Sequence, residues 1–238
     1  MNSTNPDLNI TPEDRQVHIV NSVKSIFQYQ GFQVVLRSLQ SLLDLVGRKG
    51  DPDKSVIFYT DNSIFAVLDD TVQDRKQDTA TYRVEFSPAW QEWANVLDGV
   101  QNQKSFLKFL KLRPEGELPG IEDLISSVSN LVVGTVIDGK FGYEDDNNLS
   151  VMFKIGDKEG STTIPKTLTA VLSLFRESNF LQEIEFELEF IKPKGENEKP
   201  VFRITCPKFE RYHREAWDEQ IETLKTELDG YLILAGTA

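Results

Sequence analysis

The 238-residue sequence predicts an α+β fold: an antiparallel β-sheet with helices packed on one face, preceded by a helical N-terminal segment. Two observations predict it. Several runs alternate apolar and polar residues with a period of two and are joined by short, turn-rich connections, which is typical of hairpins. The runs with helical spacing do not alternate regularly with these strands, as they would in a doubly wound parallel sheet. No repeat at solenoid or propeller spacing is visible.

The N-terminal part is predicted to be a disordered tail followed by helices. Residues 1–10 are polar and rich in asparagine. Thr11 and Pro12 are typical of a helix start, and apolar residues follow on one side of this helix as far as Gly31. A leucine-rich run at 34–46 predicts a second helix. We therefore divide the chain into a tail, a helical segment at 11–50 that is either a subdomain or an oligomerisation arm, and an α+β domain at 51–238.

The densest aromatic stretch follows a predicted hairpin, which has strands at 56–60 and 64–68. A strand at 81–86 is ended by Ser87 and Pro88, an N-cap and a first-turn proline. The next helix carries Trp90 and Trp93, and a short helix at about 103–110 carries further phenylalanines. Since each aromatic side chain can bury roughly 150–250 Å², this stretch is predicted to nucleate the core.

The remainder is predicted to be mostly sheet, closed by a long helix. An amphipathic helix comes first. After it, apolar residues recur at every second position until the last helix, as in strands. A short apolar run at the end can add an edge strand. The predicted elements, in order, are a helix at 121–131, strands at 133–143, 149–155, 161–164, 168–174, 184–191 and 201–205, a helix at 211–228 and an edge strand at 231–234.

The aromatic stretch also carries a resemblance to a known family. From Phe86 to Trp93 the sequence reads FSPAWQEW, and Gln103, Phe106 and Phe109 follow at intervals of three. This resembles the strand, Pro-x-Trp-x-x-Trp and Gln-x-x-Phe-x-x-Phe pattern of the YfdQ-like family of uncharacterised phage and prophage proteins. The likeness covers most of residues 55–228. It implies a phage or prophage setting and no particular reaction.

Composition limits the location and the partners. The chain has 26 basic and 38 acidic residues and a net charge of −12, which disfavours nonspecific nucleic-acid binding through lysine and arginine. Cys206 is the single cysteine, so no intramolecular disulfide can form, as suits a reducing compartment. The N-terminus does not resemble a signal peptide, and no apolar run is long enough to cross a membrane. We expect a cytoplasmic protein, in the cytoplasm of the phage host, with no membrane partner.

Catalytic motifs are missing from the sequence, so we predict no enzyme activity, no metal and no cofactor. His18 and His213 are far apart, and neither is near a Gly-x-Ser-x-Gly elbow, which does not occur. One cysteine and two histidines cannot make a typical zinc site, and the phosphate-binding glycine loops are absent. Cys206 is predicted to be a packing residue. Two pairs of adjacent aspartates occur, at 69–70 and 145–146. Their simplest role is to form turns, and the alternative is that they bind a cation.

Four glutamates form the most regular surface feature. In the predicted strand at 184–191, apolar residues face one way and acids the other, and neighbouring acids on that face are about 6.5–7 Å apart. Such a row could imitate the phosphates of a nucleic acid. The simpler interpretation is a solvated face that discourages edge pairing. The acids are Glu183, Glu185, Glu187 and Glu189. The three tryptophans could likewise form a stacking platform for a base or belong to the core. For Trp90 and Trp93 we favour the core.

Two classes of function remain open. The first is a non-catalytic phage accessory protein that binds a host or defence-system protein through its acidic face, with self-association as a further partner class. The second is a nucleic-acid or nucleotide-binding module of a phage recombination or replication operon. The second class would use the one basic cluster that the sequence offers, which is Lys104, Lys108, Lys111 and Arg113.

Overall fold

The computed structural model describes residues 31–71, 78–133, 135–143, 147–155, 158–191 and 201–237. It confirms the α+β class, with sheets that are mainly antiparallel. The predicted tail at 1–10, the predicted first helix up to residue 30, His18 and the acidic pair at 145–146 lie outside the described residues. Within those ranges, no helix combines the length and apolarity needed to cross a membrane.

The described elements run in the following order. They are β1 (Gln33–Leu36), α1 (Leu39–Lys49), β2 (Val56–Tyr59), β3 (Ser63–Val67), β4 (Thr79–Arg83), α2 (Pro88–Ala94), β5 (Val100–Asn102), α3 (Gln103–Lys111), α4 (Ile121–Val133), β6 (Thr135–Tyr143), β7 (Asn148–Ile155), β8 (Lys158–Pro165), β9 (Thr167–Leu172), β10 (Gln182–Ile191), β11 (Val201–Thr205), α5 (Phe209–Glu227) and β12 (Leu232–Ala235).

The strands are distributed over three sheets. The first has the order β1-β4-β3-β2-β12 and includes the predicted 56–60/64–68 hairpin. Its two outermost pairs, β1 with β4 and β12 with β2, are parallel, so strands from both ends of the described chain form its edges. The second sheet, β5-β11-β10-β9, and the third, β6-β7-β8, are antiparallel. Lys166 is the single residue between β8 and β9, so the chain passes from one sheet directly into the next.

The predicted helix at 34–46 is wrong in its first part. Residues 33–36 form β1, because this β-branched run pairs with β4, and the helix begins only at Leu39. Ser38 is its N-cap, and the Ser38 hydroxyl accepts a hydrogen bond from the Ser41 N–H at 3.2 Å. The helix α1 buries apolar residues in the same cluster as β2, β3 and β4, so residues 31–50 pack as part of the α+β core.

The aromatic stretch is confirmed as a centre of the core. Ser87 caps α2, and its hydroxyl accepts a hydrogen bond from the Trp90 N–H at 3.0 Å. The Trp93 ring stacks on Phe186 of β10, with the ring centres 4.1 Å apart. The helix ends at Ala94. The strand before it ends at Arg83, earlier than the predicted residue 86. Through Trp93 and Phe186, α2 is fixed to the second sheet.

Candidate functional site

The acidic face consists of Glu183, Glu185, Glu187 and Glu189 on β10, and the structure confirms its alternation. The intervening residues Ile184, Phe186 and Leu188 are buried, whereas the glutamates are exposed, apart from Glu185, which is half-buried. Short polar residues of β9 lie beside them, because Glu185 pairs in register with Thr169 and Glu187 with Thr167. The period of two therefore places all four carboxylates on one side of the second sheet.

Two of the four glutamates are neutralised by neighbours. Glu185 forms an ion pair with Lys208 at 2.8 Å, and the hydrogen bond and charge of Glu185 raise the pKa of Lys208. Glu189 pairs with Arg203, opposite it on β11, at 3.2 Å. Both are surface pairs and contribute little to stability. Glu183 and Glu187 have no cationic partner among the described residues. Within the described part of the chain, the acidic face thus keeps two uncompensated charges.

A cleft of about 700 Å³ adjoins the acidic face, where β10 and β11 meet the end of the β7–β8 hairpin. Its lining includes the charged residues Glu187, Glu189 and Arg203 as well as apolar residues. The Leu188 N–H donates to the Lys166 carbonyl at 2.6 Å, which ties the β8–β9 junction to β10 beneath the cleft. The lining residues are Asn147, Leu149, Ile164, Pro165, Lys166, Thr167, Glu187, Leu188, Glu189, Phe190, Arg203 and Thr205.

The predicted basic cluster loses one member. Lys104, Lys108 and Lys111 are exposed on α3, but the Arg113 side chain is only 2% exposed. Its guanidinium pairs with Glu92 and Glu117 and lies over the Phe109 ring, 4.4 Å from the ring centre. Because its own side chain is buried, these contacts make Arg113 a structural residue, so the exposed basic patch at α3 consists of three lysines.

Glu117 is the buried carboxylate that holds Arg113 in place. Its Oε1 atom accepts hydrogen bonds from the Trp93 indole N–H at 2.7 Å and from Arg113 at 3.3 Å. The Glu117 carbonyl also accepts from the N–H of Val171 at 2.7 Å, which connects the loop before α4 to β9. Glu117 lies between the helices predicted at about 103–110 and at 121–131, and nothing in its local sequence pattern marks it as buried.

The tryptophans belong to the core. Trp90, Trp93 and Trp217 are all buried, so no stacking platform for a base is available on them. Trp90 lies between Phe209 and Phe186, with ring centres at 5.0 Å and 6.1 Å. The core assignment of Trp90 and Trp93 is therefore confirmed.

The remaining candidate groups make ordinary contacts. His213 is half-buried and meets the Phe175 ring edge-on, with centres 5.2 Å apart. Burial, together with the charges of Asp98 and Glu185, raises the pKa of the Cys206 thiol to about 11. Asp69 accepts the Thr71 hydroxyl at 2.6 Å, a turn contact that lowers the pKa of Asp69. Among the described residues, no group of three or more His, Cys, Asp and Glu side chains could hold a metal ion.

Comparison of the chain with protein-family models, curated proteins and solved structures gives no match in any of the three. The resemblance to the YfdQ-like family therefore stays a prediction from the sequence. The site is accordingly defined by its geometry alone: a row of carboxylates on a sheet face and a cleft at the end of that row.

Proposed function

We propose that this protein is a non-catalytic binding protein that takes an extended, basic segment of a partner protein along its acidic face. One observation carries the proposal. Glu183 and Glu187 stand on the same side of β10 without a cationic partner among the described residues, and Glu187 also lines the cleft. A partner that brings lysine or arginine to these carboxylates would supply the missing positive charge.

The spacing of the row suits an extended polypeptide. Neighbouring glutamates on one side of a strand are about 6.5–7 Å apart, and so are alternate side chains of an extended partner. A partner with basic residues at every second position could thus meet successive carboxylates. The partly exposed Leu149, which lines the cleft, would contact an adjoining apolar side chain of the partner.

The partner class follows from the family resemblance. A phage or prophage setting favours a host or defence-system protein, met in the host cytoplasm, as the target. The net charge of −12 also supports a protein partner, because a protein with this charge attracts basic surfaces and repels nucleic-acid backbones.

A pull-down with charge-matched variants tests the proposal. The tagged wild-type chain is expected to retain one stoichiometric protein from bacterial lysate. Replacing Glu183, Glu185, Glu187 and Glu189 by glutamine should lower the retained amount at least about tenfold, since each close charge pair contributes on the order of 1 kcal/mol or more. Raising the salt concentration should weaken retention in parallel.

The matched control removes the same number of charges elsewhere. Four exposed glutamates of α5 serve, namely Glu210, Glu219, Glu222 and Glu227, each replaced by glutamine. This variant should retain the partner like wild type. If both variants lost the partner equally, the effect would be one of net charge. If both retained the partner equally, the acidic face would be ruled out as the binding surface.

A second candidate function, nucleic-acid binding, is favoured by one observation. Lys104, Lys108 and Lys111 recur at helical spacing on one exposed side of α3, and no ion pair involves them within the described ranges. If this patch binds duplex DNA, fluorescence anisotropy should give a slope of log affinity against log salt of about −3, as expected for three phosphate contacts. Replacing the three lysines by glutamine should abolish binding. Absence of binding at low salt would eliminate this candidate.

A further inference from the structure

The strand β12 forms one edge of the five-stranded sheet and is paired on one side only. It lies parallel to β2, and no other strand of the described ranges lies beside it. Its sequence is LILA, with Leu232 51% exposed and Leu234 40% exposed. Natural sheets usually protect such an edge with lysine, proline, a bulge or a covering loop, because an open edge pairs with other chains. The strand β12 has neither lysine nor proline, and its register with β2 is continuous.

The edge of the second sheet shows the usual protection. Its edge strand is β9, and the N–H of Val171, which points away from β10, donates to the Glu117 carbonyl at 2.7 Å. The loop before α4 therefore covers part of that edge. Among the residues that the structure describes, no loop makes a comparable hydrogen bond to the outer side of β12.

A hydrogen bond of Gly236 determines which backbone groups of β12 point outward. The Gly236 N–H donates to the Tyr59 carbonyl at 2.8 Å, so Gly236 faces β2. Successive residues of a strand direct their backbone groups to opposite sides, so Leu232 and Leu234 also face β2 with their N–H and C=O groups. Ile233 and Ala235 therefore each present a donor and an acceptor to the open edge.

We propose that the open edge of β12 pairs with β12 of a second copy in antiparallel register, so that the protein forms a homodimer with one sheet continuous across both subunits. Two residues that lie directly opposite each other in an antiparallel pair can exchange both of their hydrogen bonds. When Ile233 lies opposite the partner subunit's Ala235, the outward groups of both edges are all used. This register places Leu234 on the twofold axis.

The side chains suit this register. Ile233 packs against the core, so Leu232 and Leu234 project from the other face of the sheet. Leu234 would meet the partner subunit's Leu234 with Cβ atoms about 4.5–5.5 Å apart. Leu232 would lie opposite the partner subunit's Gly236, where an added Cβ meets nothing within 4 Å, so there is space for a leucine. Both exposed leucines would thereby lose contact with water.

The charge distribution favours a second copy at this edge. Each copy has a net charge of −12, so most surfaces of two copies repel each other. Residues 231–237 carry no charged side chain, and this strand can therefore approach its own counterpart. The closest acids include Asp61, Asp218 and Glu222, which line a cleft at the end of β12. Salt should screen their repulsion and strengthen the dimer, whereas it should weaken binding at the acidic face.

Sedimentation equilibrium of the full chain tests the dimer. The wild type should change from monomer to dimer between micromolar and millimolar concentration, because the interface is smaller than the usual size of about 1,600 Å². Leu234→Glu should raise the dimer dissociation constant at least about tenfold, since it places two carboxylates opposite each other. Leu112→Glu makes the same change at a leucine that is 63% exposed after α3, and it should leave the dissociation constant unchanged.

Three outcomes of this experiment would overturn the proposal. They are a wild-type monomer at every concentration, equal dissociation constants for the two glutamate variants, and a dimer that dissociates as salt is added.

A proline variant tests the hydrogen bonds separately from the side chains. Ala235→Pro removes an outward N–H and keeps the groups that face β2, and prolines are tolerated on edge strands. It should also weaken the dimer at least about tenfold, because its ring blocks the exchange of hydrogen bonds with the partner subunit's Ile233. Unchanged tryptophan emission would show that the fold is intact, since the Trp217 indole N–H donates to the Thr60 carbonyl nearby. A dimer of wild-type affinity would contradict pairing through this edge.

Disulfide formation tests the register. Leu234→Cys in the Cys206→Ser chain should yield a covalent dimer when oxidised glutathione is added, because the two thiols would meet on the twofold axis. Leu232→Cys in the same background is the matched control. Since Leu232 lies opposite the partner subunit's Gly236, the two thiols would be about 13 Å apart along the strands and should not be linked. Linkage at equal rates in both variants, or in neither, would overturn the proposed pairing.

Discussion

At the scale of single residues, Arg113 connects separate segments of the chain. Its guanidinium joins Glu92 of α2 to Glu117 of the loop before α4, above the Phe109 ring. In Arg113→Ala, the Glu117 carboxylate stays buried, at 6% exposure, without its counter-ion. We expect the free energy of unfolding, measured by urea denaturation, to fall by about 3–5 kcal/mol.

Lys108→Ala is the matched control for this change. Lys108 lies on the neighbouring helix α3, is exposed and forms no ion pair among the described residues. Its replacement should change the free energy of unfolding by no more than about 0.5 kcal/mol. A similar small change in Arg113→Ala would mean that the Arg113 ion pairs add nothing to stability.

Cys206 gives a prediction about pH. Its pKa is raised from the ordinary 9.0 to about 11, so the thiolate fraction at pH 8 is about a hundredfold lower than for an unperturbed thiol. Alkylation of the native protein at pH 8 should be slower than that of the urea-unfolded chain by about this factor. Because the folded state holds the proton more tightly, stability should also decline as the pH rises from about 9 towards 11. A native alkylation rate equal to the unfolded rate would contradict the burial of this thiol.

For single residues, the sequence predicts burial well where it depends only on the alternation within one strand. The alternation of Ile184, Phe186 and Leu188 with the glutamates is reproduced by the structure, since a period of two is a local property. Arg113 was misassigned for the opposite reason. The sequence shows its charge, but its partner Glu92 is brought to it only by the packing of α2.

At the scale of elements, the start of α2 depends on Ser87. The Ser87 hydroxyl accepts from the Trp90 N–H and donates to the Ser173 carbonyl at 2.5 Å, so it caps the helix and also fixes it to the loop after β9. Ser87→Ala should lower the free energy of unfolding by about 1–2 kcal/mol, the usual range for a lost N-cap. Thermal or urea unfolding monitored by circular dichroism measures this loss of stability.

Ser105→Ala provides the comparison for the cap. Ser105 is exposed on α3, and its N–H, which the substitution keeps, is the group that bonds to Asn102. We expect a change within about 0.5 kcal/mol. If both alanine variants had equal stability, the Ser87 hydroxyl would be dispensable for α2.

At the level of elements, the start of α2 was predicted correctly and the start of α1 was not. Ser87 and Pro88 mark the start of α2, and the structure agrees. The run at 34–46 has leucines at spacings that suit a helix throughout, yet its first residues join β1 because β4 offers a pairing partner. The three-residue strand β5 has no period of its own and owes its conformation to β11.

At the scale of the whole molecule, Phe186 links the second sheet to α2. It is fully buried and stacks on Trp93, and the centre of the Trp90 ring is 6.1 Å from that of Phe186. Phe186→Ala should lower the free energy of unfolding by about 3–5 kcal/mol because it leaves a cavity beneath both indoles. The same substitution should also change the tryptophan emission spectrum.

Glu187→Ala, one position further along β10, tests the same strand on its solvent side. It should leave the tryptophan emission unchanged and shift the free energy of unfolding by at most about 0.5 kcal/mol. An unaltered emission spectrum in Phe186→Ala would contradict the stacked arrangement.

The arrangement of three sheets could not be predicted, although the fold class and most strands could. Strand pairing depends on residues that are distant in sequence, such as Val100 of β5 with Arg203 of β11. The same holds for the candidate site. The glutamate row is visible in one segment, whereas the cleft combines residues near 147, 165, 188 and 203, which only the pairing registers bring together.

The parallel pairing of β12 with β2 has a consequence for synthesis on the ribosome. Leu232 pairs with Val56, so β2 is translated long before the strand that closes its open side. Until then the nascent chain presents a β-edge, and such edges recruit other chains. A transcript that ends before β12 should therefore yield a product that depends on chaperones or aggregates, even with every other strand intact.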